Sequence, residues 1–178
     1  GNTIIQNHGG WTNNSLCELL NDNEADDDES NQIHVISHSP YYDDNIYEFL
    51  ATKSDCFTVF SSNIDSMRLK FTEVTCFIDT LRDKNFEFSA LCFQECRITE
   101  NDDLSLLQIP GYNCISLGKI CCSKGGLLIY LHENYTYTKL NIYENSEIWE
   151  GLFVEISGNS LTKSVTLGNI YRPPRDFA

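Results

Sequence analysis

Met67, Phe71, Val74, Ile78 and Leu81 recur at spacings of four, three, four and three residues, a period that leaves little choice of local structure. Residues so spaced fall on one stripe of an α-helix, so a helix with one apolar face is expected there. The runs on either side differ in character. Phe57-Thr58-Val59-Phe60 is a short β-favouring run that closes at Ser62-Asn63, and Phe86 to Phe93 is a second apolar strand. Residues 57–94 therefore read as a strand–helix–strand unit. Asp102 to Gln108 looks like a short helix, stopped by Pro110-Gly111. Candidate strands follow at Tyr112 to Leu117, Gly126 to His132, Tyr137 to Tyr143, Trp149 to Ile156 and Val165 to Tyr171, with turn residues between them. One helical unit followed by consecutive strands predicts an α+β fold with a largely antiparallel or mixed sheet.

Charge divides the chain. Residues 1–55 carry eleven acids and one base, a net of −10, whereas residues 56–178 carry a net of −4. The leader is rich in Asn, Asp, Glu and Ser and contains the acidic run Glu24 to Glu29. Such a segment buries too little apolar surface to offset its ordering entropy, so residues 1–55 are expected to be mostly disordered, with a short helix near 45–52. An acidic interaction tail is the alternative. The folded domain is expected over 56–178. A chain of net charge −14 is a poor passive binder of nucleic acid, because phosphate affinity rests on Lys and Arg. A carboxylate site that works through a bound cation escapes that objection.

Eight cysteines would fit a disulfide framework in a small secreted domain, but no basic stretch followed by an apolar core marks a signal peptide. Cys56, Cys76, Cys92 and Cys114 sit in or beside apolar segments, where free cysteine behaves as a small buried hydrophobe. They read as reduced thiols of an intracellular, non-secreted protein. No apolar run approaches the roughly 18 residues that span a bilayer, so no membrane partner is expected. No CxxC pair or histidine spacing completes a zinc set. The chain begins with Gly1 rather than Met, as expected of a piece of something longer.

Candidate chemistry gathers at strand ends. Glu95 follows Leu91-Cys92-Phe93-Gln94 and should emerge at the C-terminal edge of its strand, where sheets of this kind place sites. Magnesium takes hard oxygen ligands, commonly one or two carboxylates, with water and phosphate filling the rest. The same position also suits an ordinary solvated acid. Asn63 closes the preceding strand and is a second candidate; its alternative is a turn residue serving local backbone groups. Tyr171, stopped by Arg172-Pro173-Pro174, could direct its hydroxyl at a phosphate or simply cap the core.

The motifs also occur in a recognisable order: the strand ending at Asn63, Lys70-Phe71, LCFQE at 91–95, PGY at 110–112, KGGLLIY at 124–130, WEGLFVEI at 149–156 and GNIYRPP at 168–174. This order resembles the endonuclease domain of animal LINE-type (non-LTR) retrotransposons, within the endonuclease/exonuclease/phosphatase superfamily. The resemblance covers about residues 56–176, and Ser39 to Asp44 looks like the linker before that domain. It implies a two-sheet α/β sandwich, here only in part, that hydrolyses a phosphodiester bond with Mg2+ or Mn2+. It further implies Glu95 as the metal ligand, Asn63 holding metal or phosphate, and Tyr171 contacting the scissile phosphate. DNA would be the substrate, nicked on one strand in the nucleus. A reverse transcriptase domain would share the parent polyprotein. The family continues after IYRPP with a Gly-Asp-x-Asn motif and later a Ser-Asp-His motif that supplies the base. Neither occurs in these 178 residues, so the chain is expected to be inactive alone and to leave an apolar sheet face exposed. Two alternatives stand beside this: a non-catalytic interaction module that uses such a face, and a related phosphoesterase of the same superfamily.

Overall fold

The structure, a computed structural model, describes residues 3–7, 34–37, 56–119, 125–141, 149–158 and 161–172, with backbone only for the first two segments. A six-stranded mixed sheet has the strand order β2-β1-β3-β4-β6-β5. Its strands are β1 (Thr3–Asn7), β2 (His34–Ser37), β3 (Thr58–Asn63), β4 (Ala90–Gln94), β5 (Tyr112–Leu117) and β6 (Leu127–His132). Strands β2, β1, β3 and β4 run parallel, and β6 and β5 join antiparallel. A second, antiparallel sheet has the order β7-β8-β9, from Thr136–Leu140, Glu150–Ser157 and Val165–Tyr171. The single helix among the described residues, α1 (Met67–Asp83), connects β3 to β4. The expected α+β class and two-sheet architecture are both present.

Three layers follow from which side chains are apolar. Strand β4 is buried on both faces, so its sequence Ala-Leu-Cys-Phe shows no polar alternation. Leu91 and Phe93 face the helix side, with Val74, Ile78 and Leu81 of α1 and with Leu128 and Tyr130 of β6. Ala90 and Cys92 face the other way, with Ile129 and Leu131, against Leu152, Val154 and Ile156 of β8. Each of these large side chains contributes about 1.5–3 kcal/mol by leaving water. Of the predicted helical stripe, Met67, Val74, Ile78 and Leu81 are buried, and Phe71 packs partly buried at its margin. The described cysteines are free thiols, Cys92 and Cys96 buried, Cys56 and Cys114 half-buried and Cys76 exposed. No described helix is long and apolar enough to cross a membrane.

Several boundaries differ from the sequence expectation for definable reasons. The strand expected from Phe86 begins only at Ala90. Ahead of it, the hydroxyls of Thr58 and Ser89 exchange bonds with each other's backbone N–H at 3.1 Å and take the place of ladder bonds. The helix expected over Asp102–Gln108 is a single 3-10 turn, Ser105–Leu107. There the Asp103 carboxylate accepts from the backbone N–H and hydroxyl of Ser105, and Asp102 accepts from the Thr99 N–H, which favours turns over helix. Strands β1 and β2 lie within the acidic leader, at its β-branched runs Thr3-Ile4-Ile5 and Val35-Ile36, which the sequence reading did not single out. The Glu24–Glu29 run, the Ser39–Asp44 stretch and the short helix expected near 45–52 lie outside the described residues.

Candidate functional site

Parallel pairing sets Asn63 beside Gln94 at the last register position of β3 and β4, so both chains leave the sheet at the same edge. Pairing then continues beyond the strands. The N–H groups of Ile64, Ser66 and Met67 donate to the carbonyls of Gln94, Glu95 and Cys96 at 3.0, 2.8 and 3.0 Å. On the other side, Cys96 and Arg97 donate to the carbonyls of Gly126 and Gly125 at 3.0 and 2.7 Å. Glu95 is thus wedged between the start of α1 and the turn before β6. The helix has no side-chain N-cap; the N–H groups of Ser66 and Met67 at its start are occupied by this loop instead.

Backbone strain is concentrated here. Asp65, Ser66, Glu95 and Arg97 have φ of 45°, 94°, 52° and 52°, four of the five non-glycine residues with positive φ among those described. Such conformations each cost on the order of 1–3 kcal/mol and persist only where surrounding bonds over-determine them, a condition common at ligand sites.

The three residues singled out by the sequence come together. Asn63 Nδ2 donates to Glu95 Oε1 at 2.5 Å, and Asn63 Oδ1 accepts from the Asp65 N–H at 3.2 Å. Both Asn63 and Glu95 are half-buried. Tyr171 ends β9 and is 8% exposed; its buried hydroxyl lies beside the Glu95 carboxylate but makes no well-aligned hydrogen bond. Burial raises the Tyr171 phenol above its ordinary pKa, its contact with the Glu95 carboxylate raises it further, and the charges of Glu95, Glu150 and Asp65 add to this. A neutral phenol held only by a poorly aligned contact with Glu95 is a donor that a better-placed acceptor can take.

Three further residues, Asn169, Glu150 and Arg97, support this cluster, and sequence reasoning missed them. Asn169, 2% exposed, donates through Nδ2 to the carbonyls of Phe93 and Leu128, both at 3.0 Å, and accepts from Gln94 Nε2. The same Gln94 nitrogen donates to Ser61 Oγ at 3.1 Å. One buried amide therefore ties β9 to β4 and β6, two residues before Tyr171. Glu150, 1% exposed, sits opposite Tyr171 in the β8–β9 register. Its Oε2 accepts from the Gly126 N–H at 2.7 Å, and its Oε1 pairs with Lys119 Nζ at 2.6 Å. A Cβ on Gly125 would stand 2.2 Å from that Oε1, on a backbone with φ of +110°, so the turn admits no side chain there. Alternation carried a signal for both: Asn169 and Glu150 occupy inward positions of strands whose other inward residues are largely apolar. Finally, Arg97 forms an exposed ion pair with Asp65, the residue whose N–H donates to Asn63.

Glu95 supplies a hard carboxylate oxygen. Asn63, as oriented, turns its amide nitrogen toward Glu95 and its oxygen toward Asp65, so Glu95 is the better cation ligand of the two. No cluster of three or more His, Cys, Asp or Glu suited to a metal occurs among the described residues. The donor set still fits magnesium, which commonly takes one or two protein carboxylates.

No family model matches the sequence, and no curated protein matches it. Among solved structures, the chain is similar to the human Nocturnin catalytic domain with bound sulfate anion, at 15% identity and a TM-score of 0.45. That similarity covers 67% of this chain and 50% of the other, so the chain spans about half the length of the structure it matches.

Proposed function

We propose that Asn63, Glu95 and Tyr171 form part of a cation-assisted phosphodiester site, that of a DNA endonuclease of the LINE retrotransposon type. The observation that carries this reading is the convergence of the buried Tyr171 hydroxyl, which makes no well-aligned hydrogen bond, on the hydrogen-bonded Asn63–Glu95 pair. A phosphate oxygen is the well-aligned acceptor that such a donor lacks. Glu95 would hold Mg2+ or Mn2+, and the ion would polarise the phosphoryl oxygens and neutralise charge on the leaving oxygen. Within this chain Asn63 fixes the Glu95 carboxylate, Tyr171 donates to the phosphate, and Asn169 and Glu150 set the approach of the two sheets. The resemblance assigns deprotonation of the attacking water to its Ser-Asp-His motif. Nicking therefore belongs, in this reading, to a longer protein carrying that motif, acting in the nucleus alongside a reverse transcriptase domain.

The test is Mg2+-dependent nicking of supercoiled plasmid by an extended protein that includes both later motifs, and by this chain. The extended protein should nick, Glu95→Gln should reduce the rate on the order of a hundredfold or more, and this chain should not nick. An extended Glu95→Gln variant that nicks at the unaltered rate sinks the assignment of Glu95. Nicking by the short chain sinks the claim that it is catalytically incomplete.

One observation favours the interaction-module alternative. Phe153 lies over Gly151 and Gly168 on the outer face of the small sheet, where Ile170 is 56% exposed. That reading predicts no effect of Glu95→Gln on any measured property except charge.

A further inference from the structure

A phosphodiester needs a cation from the protein as well as a metal ion, and the described residues leave few to choose from. Lys119 is committed to the buried Glu150 carboxylate. Arg68 is held by Asp102 and the Asp103 carbonyl. The N–H groups of Ser66 and Met67, at the start of α1, are spent on the Glu95 and Cys96 carbonyls. Arg172 follows Tyr171 directly and, by strand alternation, belongs to the opposite face of β9.

Arg97 remains. It lies two residues beyond Glu95, on a backbone of φ 52°, with its side chain 43% exposed. It is connected to the cluster through Asp65, whose N–H donates to Asn63 Oδ1 while Asn63 Nδ2 donates to Glu95. Asp65 also lies close enough to Tyr171 for its charge to be felt there. The guanidinium is therefore linked through Asp65 to the cluster that holds Asn63, Glu95 and Tyr171. Its partner Asp65 is 66% exposed, and a pair this open exchanges readily with solvent or a competing anion.

We propose that Arg97 is the phosphate-binding cation of this site, occupied by Asp65 until a backbone phosphate of nucleic acid displaces the carboxylate. Guanidinium binds phosphate in a bidentate fork as readily as it binds carboxylate, so the exchange preserves its geometry. This inference rests on the phosphodiester reading given above.

The experiment follows binding of a fluorescein-labelled DNA duplex to this chain by anisotropy, in Mg2+, over a series of salt concentrations. Arg97→Ala should weaken binding on the order of fivefold at low salt and reduce the slope of log affinity against log salt by about one. Asp65→Asn should tighten binding, because it frees Arg97. Asp83→Asn, an exposed acid at the end of α1, controls for overall charge and should change little. Thermal unfolding of each variant checks that it is folded. If the pair is merely structural, Asp65→Asn and Arg97→Ala move together or leave affinity untouched, and either result overturns the proposal. Failure of the unaltered chain to bind overturns the phosphodiester reading and this inference with it. Binding that is indifferent to Arg97 overturns this inference alone.

Discussion

Tyr171 shows how one residue separates a structural role from a functional one. An aromatic cap over a core gains from its ring, and its hydroxyl would normally find a partner when buried. Here the ring is buried with Leu152, Val154 and Ile156 while the hydroxyl makes no well-aligned hydrogen bond. Leaving a polar group buried and unpaired costs about 1–3 kcal/mol. Tyr171→Phe should therefore hold or raise stability, by up to about 1 kcal/mol in urea unfolding, while weakening Mg2+-dependent DNA binding. A stability loss above about 1 kcal/mol would mean the hydroxyl is bonded in the free protein, and its availability to a phosphate would be gone. The residues around it carry the same logic. Asn63 and Glu95 bond each other, Asp65 and Arg97 pair with each other, and Tyr171 has only a poorly aligned contact with Glu95.

At the scale of elements, the contact between β9 and the large sheet depends on one amide. Asn169 lies among apolar inward positions and spends both N–H bonds on the carbonyls of Phe93 and Leu128, the last pair of the β4–β6 ladder. Asn169→Ala leaves those acceptors and the Gln94 amide short of a partner, and should cost about 2–4 kcal/mol by urea unfolding. A loss below about 1 kcal/mol would mean that water replaces the amide without penalty and that the sheets dock by apolar contact alone. What was legible in the sequence at this scale was whatever local period dictates. The stripe of α1 and the strand Val165–Tyr171 could be read directly, because each depends on neighbours a few residues away. The edge carrying Asn63 and Glu95 was legible because both close apolar strands flanking one helix. The late start of β4 was not, since it depends on a hydroxyl exchange between Thr58 and Ser89, 31 residues apart. Nor was the Asp65–Arg97 pair, which depends on two loops adopting positive φ. Asn169 and Glu150 fell between these cases. Their inward register was visible, but not which distant backbone groups they would meet.

For the molecule as a whole, the buried thiols and phenols set how stability responds to pH. Burial pushes the Cys92 thiol from an ordinary 9.0 up to about 12 and raises Cys96 and Cys114 as well. Tyr112, Tyr130 and Tyr171 are likewise raised, chiefly by desolvation. In the unfolded chain these groups ionise at about 8.5 for thiols and about 10 for phenols. Below those values both states hold their protons, and stability does not depend on them. Above them the unfolded chain releases protons that the folded chain retains, so stability falls as pH rises toward the raised folded values. The fold should therefore keep a level urea midpoint through neutral pH and lose stability steeply from about pH 9 upward. Cys92 offers a direct check, because its thiol lies between the sheets and burial raises its pKa. Cys92→Ala should cost some stability at neutral pH for the lost packing. Above about pH 9 it should make the decline shallower by about 1.4 kcal/mol per pH unit, one proton's worth. An unchanged slope would mean that the Cys92 thiol ionises in the folded protein as easily as in the unfolded one. The two sheets would then not exclude water from the layer between them, and the low-dielectric setting that keeps Tyr171 protonated beside Glu95 would be lost as well.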